Sequence, residues 1–456
     1  MSISSENKHI AIVVFPFGSH PLSLLHLSIK LAHAAPNVTF SFINTAKSNQ
    51  TLFSTPNINI PHNIKSYDVS DGIPEGHVLG DHPFEKLNLF LHAGHENLQK
   101  GIDLAVKNTH KNVTCIIADA FVTPSLVLAQ NLNIPWIAVW APLSISLSVH
   151  FYTHLIRQKK CPTSLDFIPG LSHIKIQDIP EEVLLNHSEE EQLFSKELAY
   201  MAKVLPQAKA VVMSSFEELD PPLFVQDMKS KLKTLLFIGR LTISIASSSP
   251  PCDTNTLKPD ECMLWLEKQK AKSVAYISFG TMVTPPHHEL LEVSEAFEAC
   301  KFPFLWSLRD DLKALLPKGF IERTSMRGKI VPWAPQTQVL GHGAVGVFVT
   351  HCGGNSVVEG ISNGVPLICR PFFGDHGMSA RMVEDVWGIG VRIEGGVFTK
   401  NGLLKSLNLV LEEEEGKRTR NNAFKLKNAV KFAAGPQDFH WVIVVNDGVQ
   451  VFMKFN

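Results

Sequence analysis

The sequence has almost no excess of charge of either sign and no long apolar run. Its 42 Lys and Arg nearly balance its 43 Asp and Glu, which leaves a formal net charge of −1. A chain this close to neutrality is not drawn to polyanions, so we expect neither nucleic acid nor an anionic membrane as a partner. No run reaches the ~18 apolar residues that span a bilayer, and the N-terminus lacks the pattern of a signal peptide.

Cysteine pairs and the common catalytic signatures are also missing. The seven cysteines are odd in number, scattered and without a CxxC pair, which favours reduced thiols in the cytoplasm over a disulfide framework or a zinc site. The sequence contains no P-loop, HExxH or DxD, and Gly388 and Gly390 are too isolated to form a dinucleotide fingerprint. A dehydrogenase is therefore disfavoured. Protein donors, rather than a metal, would have to neutralise a bound diphosphate.

What the chain does contain is two rounds of alternating strand and helix patterns, which are typical of parallel α/β domains. A Ser run and a Pro pair separate them at residues 243–260, a composition typical of an interdomain linker. At 456 residues the chain is also too long for one core. We therefore predict an α/β protein with two Rossmann-like domains facing a cleft, at residues 1–242 and 261–435, and a separate tail at residues 436–456.

Short apolar runs bounded by turn residues predict the strands, and apolar spacing of three and four predicts the helices. The predicted strands are residues 9–15, 38–43, 113–118, 136–140, 210–213, 273–279, 304–308, 329–332, 345–349, 367–369 and 390–393. Helices are expected after the first strand and at residues 289–300, 336–340, 356–363, 379–386 and 399–412. Residues 55–90 and 160–190 are polar and broken by Pro and Gly, so we expect loops with short helices there.

The stretch of residues 333–376 has the densest polar pattern in the chain. A predicted strand ends there before a turn that contains Gly353 and Gly354, and a helix is expected to begin near Asn355 and Ser356, which are good N-cap residues. The backbone N–H groups and the dipole at such a helix start suit an anion. An ordinary strand-to-helix turn has the same pattern, so the turn alone leaves both interpretations open.

A candidate general base lies in the first half of the chain. His20 follows the first predicted strand and Asp119 ends another, so both could lie at the carboxyl edge of one sheet. A carboxylate there would orient the imidazole and stabilise its protonated form. The alternatives are that His20 is one of many bystanders among 20 histidines, and that Asp119 caps the following helix.

Further polar and aromatic residues near predicted strand ends could complete a site for a nucleotide sugar. The alternatives are a packing role for Trp333 and a surface position for Glu359. The candidates are Thr281 and His351 for a diphosphate, Trp333 for a flat base, Glu359 for a ribose hydroxyl, and Asp375 and His376 for sugar hydroxyls.

Residues 333–376 resemble the signature box of the plant UDP-sugar-dependent glycosyltransferases, glycosyltransferase family 1. Other segments resemble the flavonoid and anthocyanidin 3-O-glucosyltransferase branch of that family, namely HIAIVVFPFGSH, IIADAF, AYISFGT, PFLWSLR and GVRIEGGVFTK. The resemblance implies a GT-B fold and a cytoplasmic monomer that needs no metal or other cofactor. It also implies inverting transfer of a hexose, with glucose favoured, from a UDP-sugar to the 3-hydroxyl of a flavonol or anthocyanidin.

The resemblance also implies roles for individual residues. His20 matches the catalytic base and Asp119 its partner, while Ser19 beside the base matches more loosely. The family's uracil, ribose, diphosphate and sugar contacts match Trp333, Ala334, Gln336, Glu359, Thr281, Ser307, His351, Gly353, Gly354, Asn355, Ser356, Asp375 and His376. Acceptor-pocket positions match His150 and, more loosely, Phe372.

Four features depart from the family pattern. Gly354 stands where the family usually has Trp, Ala141 where many relatives have Thr, and His376 where glucosyltransferases commonly have Gln. Histidine at this last position is associated with galactose transfer in some relatives, and residues 436–456 are apolar and strand-like instead of forming a helix. The alternatives are therefore a flavonoid 3-O-galactosyltransferase, or a catalytically impaired relative that binds UDP-sugar or flavonoid.

Overall fold

The structure is a computed structural model that describes residues 8–54, 58–80, 85–159, 163–184, 189–239, 261–433, 440–445 and 449–454. The linker predicted at residues 243–260 lies outside these ranges. Of the tail predicted at residues 436–456, only two strands are described.

The first domain is built on a seven-stranded sheet in which every neighbouring pair is parallel. Most of these strands are short apolar runs buried on both faces, as expected for a parallel sheet covered by helices. The strand order is β3-β2-β1-β4-β5-β6-β7, with β1 at His9–Val13, β2 at Thr39–Thr45, β3 at Ile64–Val69, β4 at Cys115–Asp119, β5 at Trp136–Trp140, β6 at Ala210–Met213 and β7 at Leu235–Phe237.

The second domain repeats this design with six parallel strands. Their order is β10-β9-β8-β11-β12-β13, with β8 at Val274–Ser278, β9 at Phe304–Ser307, β10 at Gly328–Val331, β11 at Val345–Thr350, β12 at Leu367–Cys369 and β13 at Gly390–Arg392. The predicted fold class, an α/β protein with two parallel-sheet domains, is confirmed.

Helices connect the strands of both domains. In the first domain they are α1 His20–Ala34, α2 Ala46–Phe53, α3 Glu85–His92, α4 Gly94–Thr109, α5 Pro124–Asn131, α6 Leu147–Phe151, α7 Thr153–Gln158, α8 Glu189–Val204 and α9 Pro222–Lys231. In the second they are α10 Glu261–Leu266, α11 His287–Ala299, α12 Asp310–Lys313, α13 Phe320–Thr324, α14 Gln336–Gly341, α15 Gly354–Asn363, α16 His376–Arg381, α17 Lys400–Leu411 and α18 Glu414–Ala433.

Several elements were not predicted, among them the short helices α10, α12 and α13, two edge strands and the long helix α18. The expectation that residues 55–90 form only loops and short helices is wrong at β3, an edge strand in which buried and exposed residues do not alternate regularly. The strand β7 lies at the opposite edge and has only three residues. The helix α18 buries few of its 20 residues, so it lacks the apolar stripe by which helices are recognised in a sequence.

The two domains share an apolar interface. The largest cluster of buried apolar side chains includes residues of both sheets, among them Trp140 of β5 and Phe348 of β11. The described part of the tail is an antiparallel pair, β14 at His440–Val445 and β15 at Val449–Lys454, and β14 lies beside α1 of the first domain. The carboxyl ends of the strands in both sheets border a cleft between the domains.

Candidate active site

His20 and Asp119 meet at the carboxyl edge of the first sheet. His20 is the first residue of α1, and Asp119 is the last residue of β4, which pairs with β1. The Nδ1 atom of His20 lies 2.7 Å from Oδ2 of Asp119. Asp119 is 1% exposed, and its Oδ1 accepts the backbone N–H of Phe121 at 3.0 Å. Asp119 does not cap a helix, because α5 begins after Thr123. The pair fixes the imidazole ring and leaves its Nε2 for a ligand.

Aromatic rings surround this imidazole. The ring centroids of Phe15 and Phe121 lie 5.1 and 5.0 Å from that of His20. Phe17 packs edge-on against Phe15 at 5.0 Å, and Trp140 against Phe121 at 5.3 Å. These four aromatic residues were not predicted as site residues from the sequence. The available signal was their position, since each lies at a strand end or just after one.

The turn after β11 leads directly into α15. The helix begins at Gly354 with Gly353 as its N-cap, so the expected N-cap role of Asn355 and Ser356 is wrong. Both residues lie in the first turn of the helix instead. A Cβ atom on Gly353 would lie 2.5 Å from Nε2 of His351, so only glycine lets the turn approach that ring. The start of α15 therefore directs backbone N–H groups of its first turn outward, an arrangement that suits an anion.

His351 and His376 form an edge-on pair beside this turn, with ring centroids 5.0 Å apart and planes at 85°. Burial lowers the pKa of His351 to about 4. Burial, together with the repulsion that a protonated His351 would exert, lowers the pKa of His376 to about 3. Both rings are therefore neutral near pH 7. Within the described ranges the Nδ1 atom of each ring has no hydrogen-bond partner, and both residues line the cleft.

Gln336 is held in a polar network at another end of the cleft. Its Oε1 accepts the hydroxyl of Tyr276 at 3.2 Å, and its Nε2 donates to Oγ of Ser356 at 3.1 Å and to Oε2 of Glu359 at 2.5 Å. Trp333 lies near this network and is 69% exposed, which leaves an aromatic face open to a flat ligand. The Glu359 carboxylate and the Gln336 amide are thus held in place by hydrogen bonds.

Asp375 and His376 lie where the second domain reaches the first. Asp375 is the N-cap of α16, and His376 is its first residue. The Oδ2 atom of Asp375 accepts the backbone N–H of Leu143 at 3.3 Å, which is a hydrogen bond between the domains. The helix expected at residues 379–386 therefore begins earlier, at His376, and changes to a π-helical segment at Met382–Val386.

One cleft of about 590 Å³ brings most of the sequence-predicted residues together. Its walls come from both domains, and Phe15, Phe17 and Ala141 also line it. The predicted residues on its walls are Ser19, His20, Thr281, Ser307, Trp333, Ala334, Gln336, His351, Gly353, Gly354, Asn355, Ser356, Glu359, Asp375 and His376. Asp119 lies behind His20, to which it is bonded.

Two predicted acceptor-site residues do not line this cleft. His150 is buried with its ring edge-on to Trp140 at 5.5 Å, and burial lowers its pKa to about 4. Phe372 packs beneath the guanidinium of Arg370, whose central carbon lies 3.9 Å from the ring centroid. The neighbouring Phe373 lines the cleft instead. Motif matching alone did not distinguish these two adjacent phenylalanines.

Within the part of the chain that the structure describes, no group of three or more His, Cys, Asp or Glu residues is arranged to hold a metal ion. Over the same residues, no helix is both long enough and apolar enough to cross a bilayer.

Two parallel-sheet domains on either side of one cleft define the GT-B class of UDP-glycosyltransferases. A crystal structure of UDP-glucose:anthocyanidin 3-O-glucosyltransferase in complex with UDP has this fold and superposes with a TM-score of 0.87, at 54% identity, covering 94% of this chain and 95% of that one. The profile described as UDP-glucoronosyl and UDP-glucosyl transferase matches residues 97–431, and the chain belongs to this family of enzymes.

Curated relatives match over nearly their full length. The anthocyanidin 3-O-glucosyltransferase of Vitis vinifera is 45% identical over 445 residues, which is 96% of each chain. The anthocyanidin 3-O-galactosyltransferase of Rhododendron delavayi is 47% identical over 444 residues, which is 95% of each chain. These similar relatives use two different sugars. A more distant structure, from Phytolacca americana at 23% identity and a TM-score of 0.77, covers 94% of this chain and 95% of its own and shares the fold.

Proposed function

We propose that this enzyme transfers a hexose, with glucose favoured, from a UDP-sugar to the 3-hydroxyl of a flavonol or anthocyanidin, with inversion at the anomeric carbon. The observation that carries the proposal is the His20–Asp119 pair, whose imidazole lines the same cleft as the helix start at Gly354. A base and an anion site on opposite walls suit a displacement between them. The relatives named for anthocyanidin and flavonol 3-O-transfer support the acceptor class.

In the proposed mechanism His20 is the general base. Its Nε2 takes the proton of the acceptor hydroxyl while the oxygen forms a bond to the anomeric carbon. The bond from that carbon to the β-phosphate oxygen breaks, and its electron pair leaves with UDP. Asp119, 2.7 Å from Nδ1, stabilises the imidazolium that forms. Such a base contributes on the order of 10²–10⁴ in rate.

Protein donors would hold the leaving diphosphate. The first turn of α15 offers backbone N–H groups and the positive end of its dipole. Neutral imidazoles at His351 and His376 can donate hydrogen bonds without carrying a full charge, since their pKa values lie far below 7. The side chains proposed to contribute with them are Thr281, Ser307, Asn355 and Ser356, which line the same cleft.

The nucleoside and the acceptor would take separate parts of the cleft. Trp333 would stack on the uracil, with Ala334 and Gln336 at its edge, and Glu359 would accept the ribose hydroxyls. The Phe15, Phe17 and Phe121 rings beside His20 would pack on a planar polyphenol, because offset and edge-on ring contacts are favourable. Since neither His150 nor Phe372 lines the cleft, we propose that His150 supports these aromatic contacts indirectly, through Trp140. Phe372 would act on the opposite wall, through its contact with Phe279.

The direct test is an assay of purified protein with a flavonol or an anthocyanidin and UDP-glucose or UDP-galactose, in which products are separated by chromatography. We expect a 3-O-hexoside without added metal. Absence of product across both donors and several flavonols, in folded protein that still binds UDP, would defeat the proposal.

A second candidate is a non-catalytic relative that binds UDP-sugar or flavonoid. Two observations favour it: Gly354 stands at the first helical position of α15, and the tail contains a strand pair beside α1. Retained UDP binding with no product, and no rescue by Gly354→Trp, would favour this candidate over the enzyme.

A further inference from the structure

A buried ion pair joins the two domains behind the proposed sugar end of the cleft, which is the part that Asp375 and His376 line. Asp178 ends the short 3-10 turn Ile176–Asp178 of the first domain, and Arg381 ends α16 of the second. Nε of Arg381 donates to Oδ2 of Asp178 at 2.8 Å, and Nη2 donates to Oδ1 at 3.2 Å. The side chains of Arg381 and Asp178 are only 5% and 2% exposed, respectively. A two-point guanidinium–carboxylate contact of this kind fixes direction as well as distance.

Other groups complete the charge and hydrogen-bond balance around this pair. Arg392, at the end of β13, donates from Nη1 to Oδ1 of Asp178 at 2.8 Å. Asp385 accepts from Nη1 of Arg381 at 2.8 Å, and Glu384 lies 3.1 Å from Nε of Arg392. The Asp178 Oδ2 atom also accepts the backbone N–H of Lys175 at 2.9 Å. Asp178 is thus the acceptor on which two arginines of the other domain converge.

Asp178 also contacts the opposite end of α16. A Cβ atom on Gly377 would lie 2.5 Å from the carbonyl oxygen of Asp178, so the helix packs there with no room for a side chain. Gly377 directly follows His376. The six-residue helix is therefore held at both ends by one residue of the other domain, through its backbone near Gly377 and its carboxylate at Arg381.

The held helix starts at the sugar end of the cleft. Asp375 and His376 form its N-terminus, and Asp375 also accepts the Leu143 N–H of the first domain. Their distance from His20, which belongs to the first domain, therefore depends on how α16 sits against Asp178. Buried ion pairs contribute little net stability on average, and their better-attested effect is to fix one arrangement over others.

We propose that Asp178 is a positioning residue that sets, from the first domain, where Asp375 and His376 meet the donor sugar. The kinetic test of this proposal rests on the proposed function, whereas its structural test does not. Asp178 does not line the cleft. It acts through α16, and its loss shifts the sugar-facing residues away from the base while the nucleotide end of the cleft, built from Trp333 to Glu359, stays intact.

The experiment compares Asp178→Asn with a matched control, Glu289→Gln. Glu289 is also a buried carboxylate bonded to an arginine, Arg370, but both partners belong to the second domain. The first readout is hydrogen–deuterium exchange without substrate. We expect faster exchange at residues 376–381 and at the Leu143 amide in Asp178→Asn only. This readout needs no acceptor, so it tests the anchor even if the protein transfers nothing to flavonoids.

The second readout is turnover with competing UDP-glucose and UDP-galactose. For Asp178→Asn we expect kcat to fall about tenfold or more, since small misplacement at a reacting centre is costly, with a changed donor ratio and UDP affinity within about twofold of wild type. Gly377→Ala keeps every charge and should change the donor ratio in the same way. If Asp178→Asn does not fold, Arg392→Met, which removes one of the three arginine bonds, takes its place.

Two results would overturn the proposal. One is unchanged exchange at residues 376–381 together with an unchanged donor ratio in folded Asp178→Asn. The other is an equal loss of kcat in Asp178→Asn and Glu289→Gln at the same donor ratio, which is what a purely structural role produces. If the wild type transfers nothing but Asp178→Asn still shows the expected faster exchange, the proposed function is wrong and the positioning role of Asp178 is supported.

Discussion

The 2.7 Å hydrogen bond between His20 Nδ1 and Asp119 Oδ2 joins residues that are 99 positions apart in the chain. Because β1 and β4 are parallel neighbours, the ends of the two strands lie side by side and bring the carboxylate under the imidazole. The pair therefore results from the topology of the sheet and does not depend on the second domain.

Removing the carboxylate tests this pair. We expect Asp119→Asn to lower kcat by a factor on the order of 10² or more, since the imidazolium loses its partner. His20→Ala should lower it further, while both variants bind UDP as wild type does in calorimetry. A mild loss of kcat in His20→Ala would remove the base assignment.

Glu359 is expected to govern nucleotide affinity. In Glu359→Ala the ribose loses its proposed acceptor and Gln336 loses one hydrogen bond, so we expect UDP to bind about 10–100-fold more weakly. At saturating donor kcat should change little. Thr337→Val is the control, because it removes only the 3.2 Å bond from Thr337 Oγ1 to Oε1 of Glu359. Equal affinities in the two variants would argue against a ribose contact.

Donor choice is expected to depend on His376. In His376→Gln an amide replaces a neutral imidazole at the proposed sugar site, and we expect competition between the two UDP-hexoses to shift toward UDP-glucose. His376→Ala serves as the control, since it should weaken the use of both donors. A glucose-to-galactose product ratio that stays constant in His376→Gln would exclude this residue as the selector.

Asp220 should make stability depend on pH. Burial raises the pKa of this carboxyl to about 8, against an unfolded value of 3.8, while the Ser144 hydroxyl that donates to it opposes the shift. Between these values the folded protein holds a proton that the unfolded chain has released. The stability contribution is therefore complete below pH 3.8 and is lost as pH rises toward about 8, by on the order of 1 kcal/mol per pH unit.

The variant Asp220→Asn has no proton to lose. We expect its Tm to rise relative to wild type between pH 5 and pH 8, by a few degrees per pH unit, as measured by thermal unfolding in matched buffers. Ser144→Ala should leave the pH dependence in place. A constant Tm difference between Asp220→Asn and wild type across this range would show that the carboxyl does not titrate there.

Much of the fold could be read from the sequence where strands are buried on both faces. The strands Trp136–Trp140, Ala210–Met213 and Leu367–Cys369 agree with the prediction to the residue, because an uninterrupted apolar run bounded by turn residues has clear limits. The edge strands β3 and β7 of the first sheet and the helix α18 were missed, because elements with one exposed face carry a weaker apolar pattern.

The candidate site, like the fold, could be predicted from the sequence only in part. His20 and Asp119 could be paired from their positions at strand ends, because parallel strands align those ends. The helix start at Gly353 could not be predicted from capping preference, since contact with the His351 ring requires glycine there. The Asp178–Arg381 pair joins residues 203 positions apart in different domains, and no local sequence pattern predicts such a contact.

The exposed indole of Trp333 gives the protein an optical reporter. Of its seven tryptophans, Trp136, Trp140 and Trp306 are buried, whereas Trp333 is 69% exposed on the cleft wall. A base stacked on that indole would quench its emission and shift the remaining spectrum toward that of the buried rings. We expect a saturable fluorescence change on UDP addition that is absent in Trp333→Phe, so that nucleotide occupancy can be followed in real time without a labelled ligand.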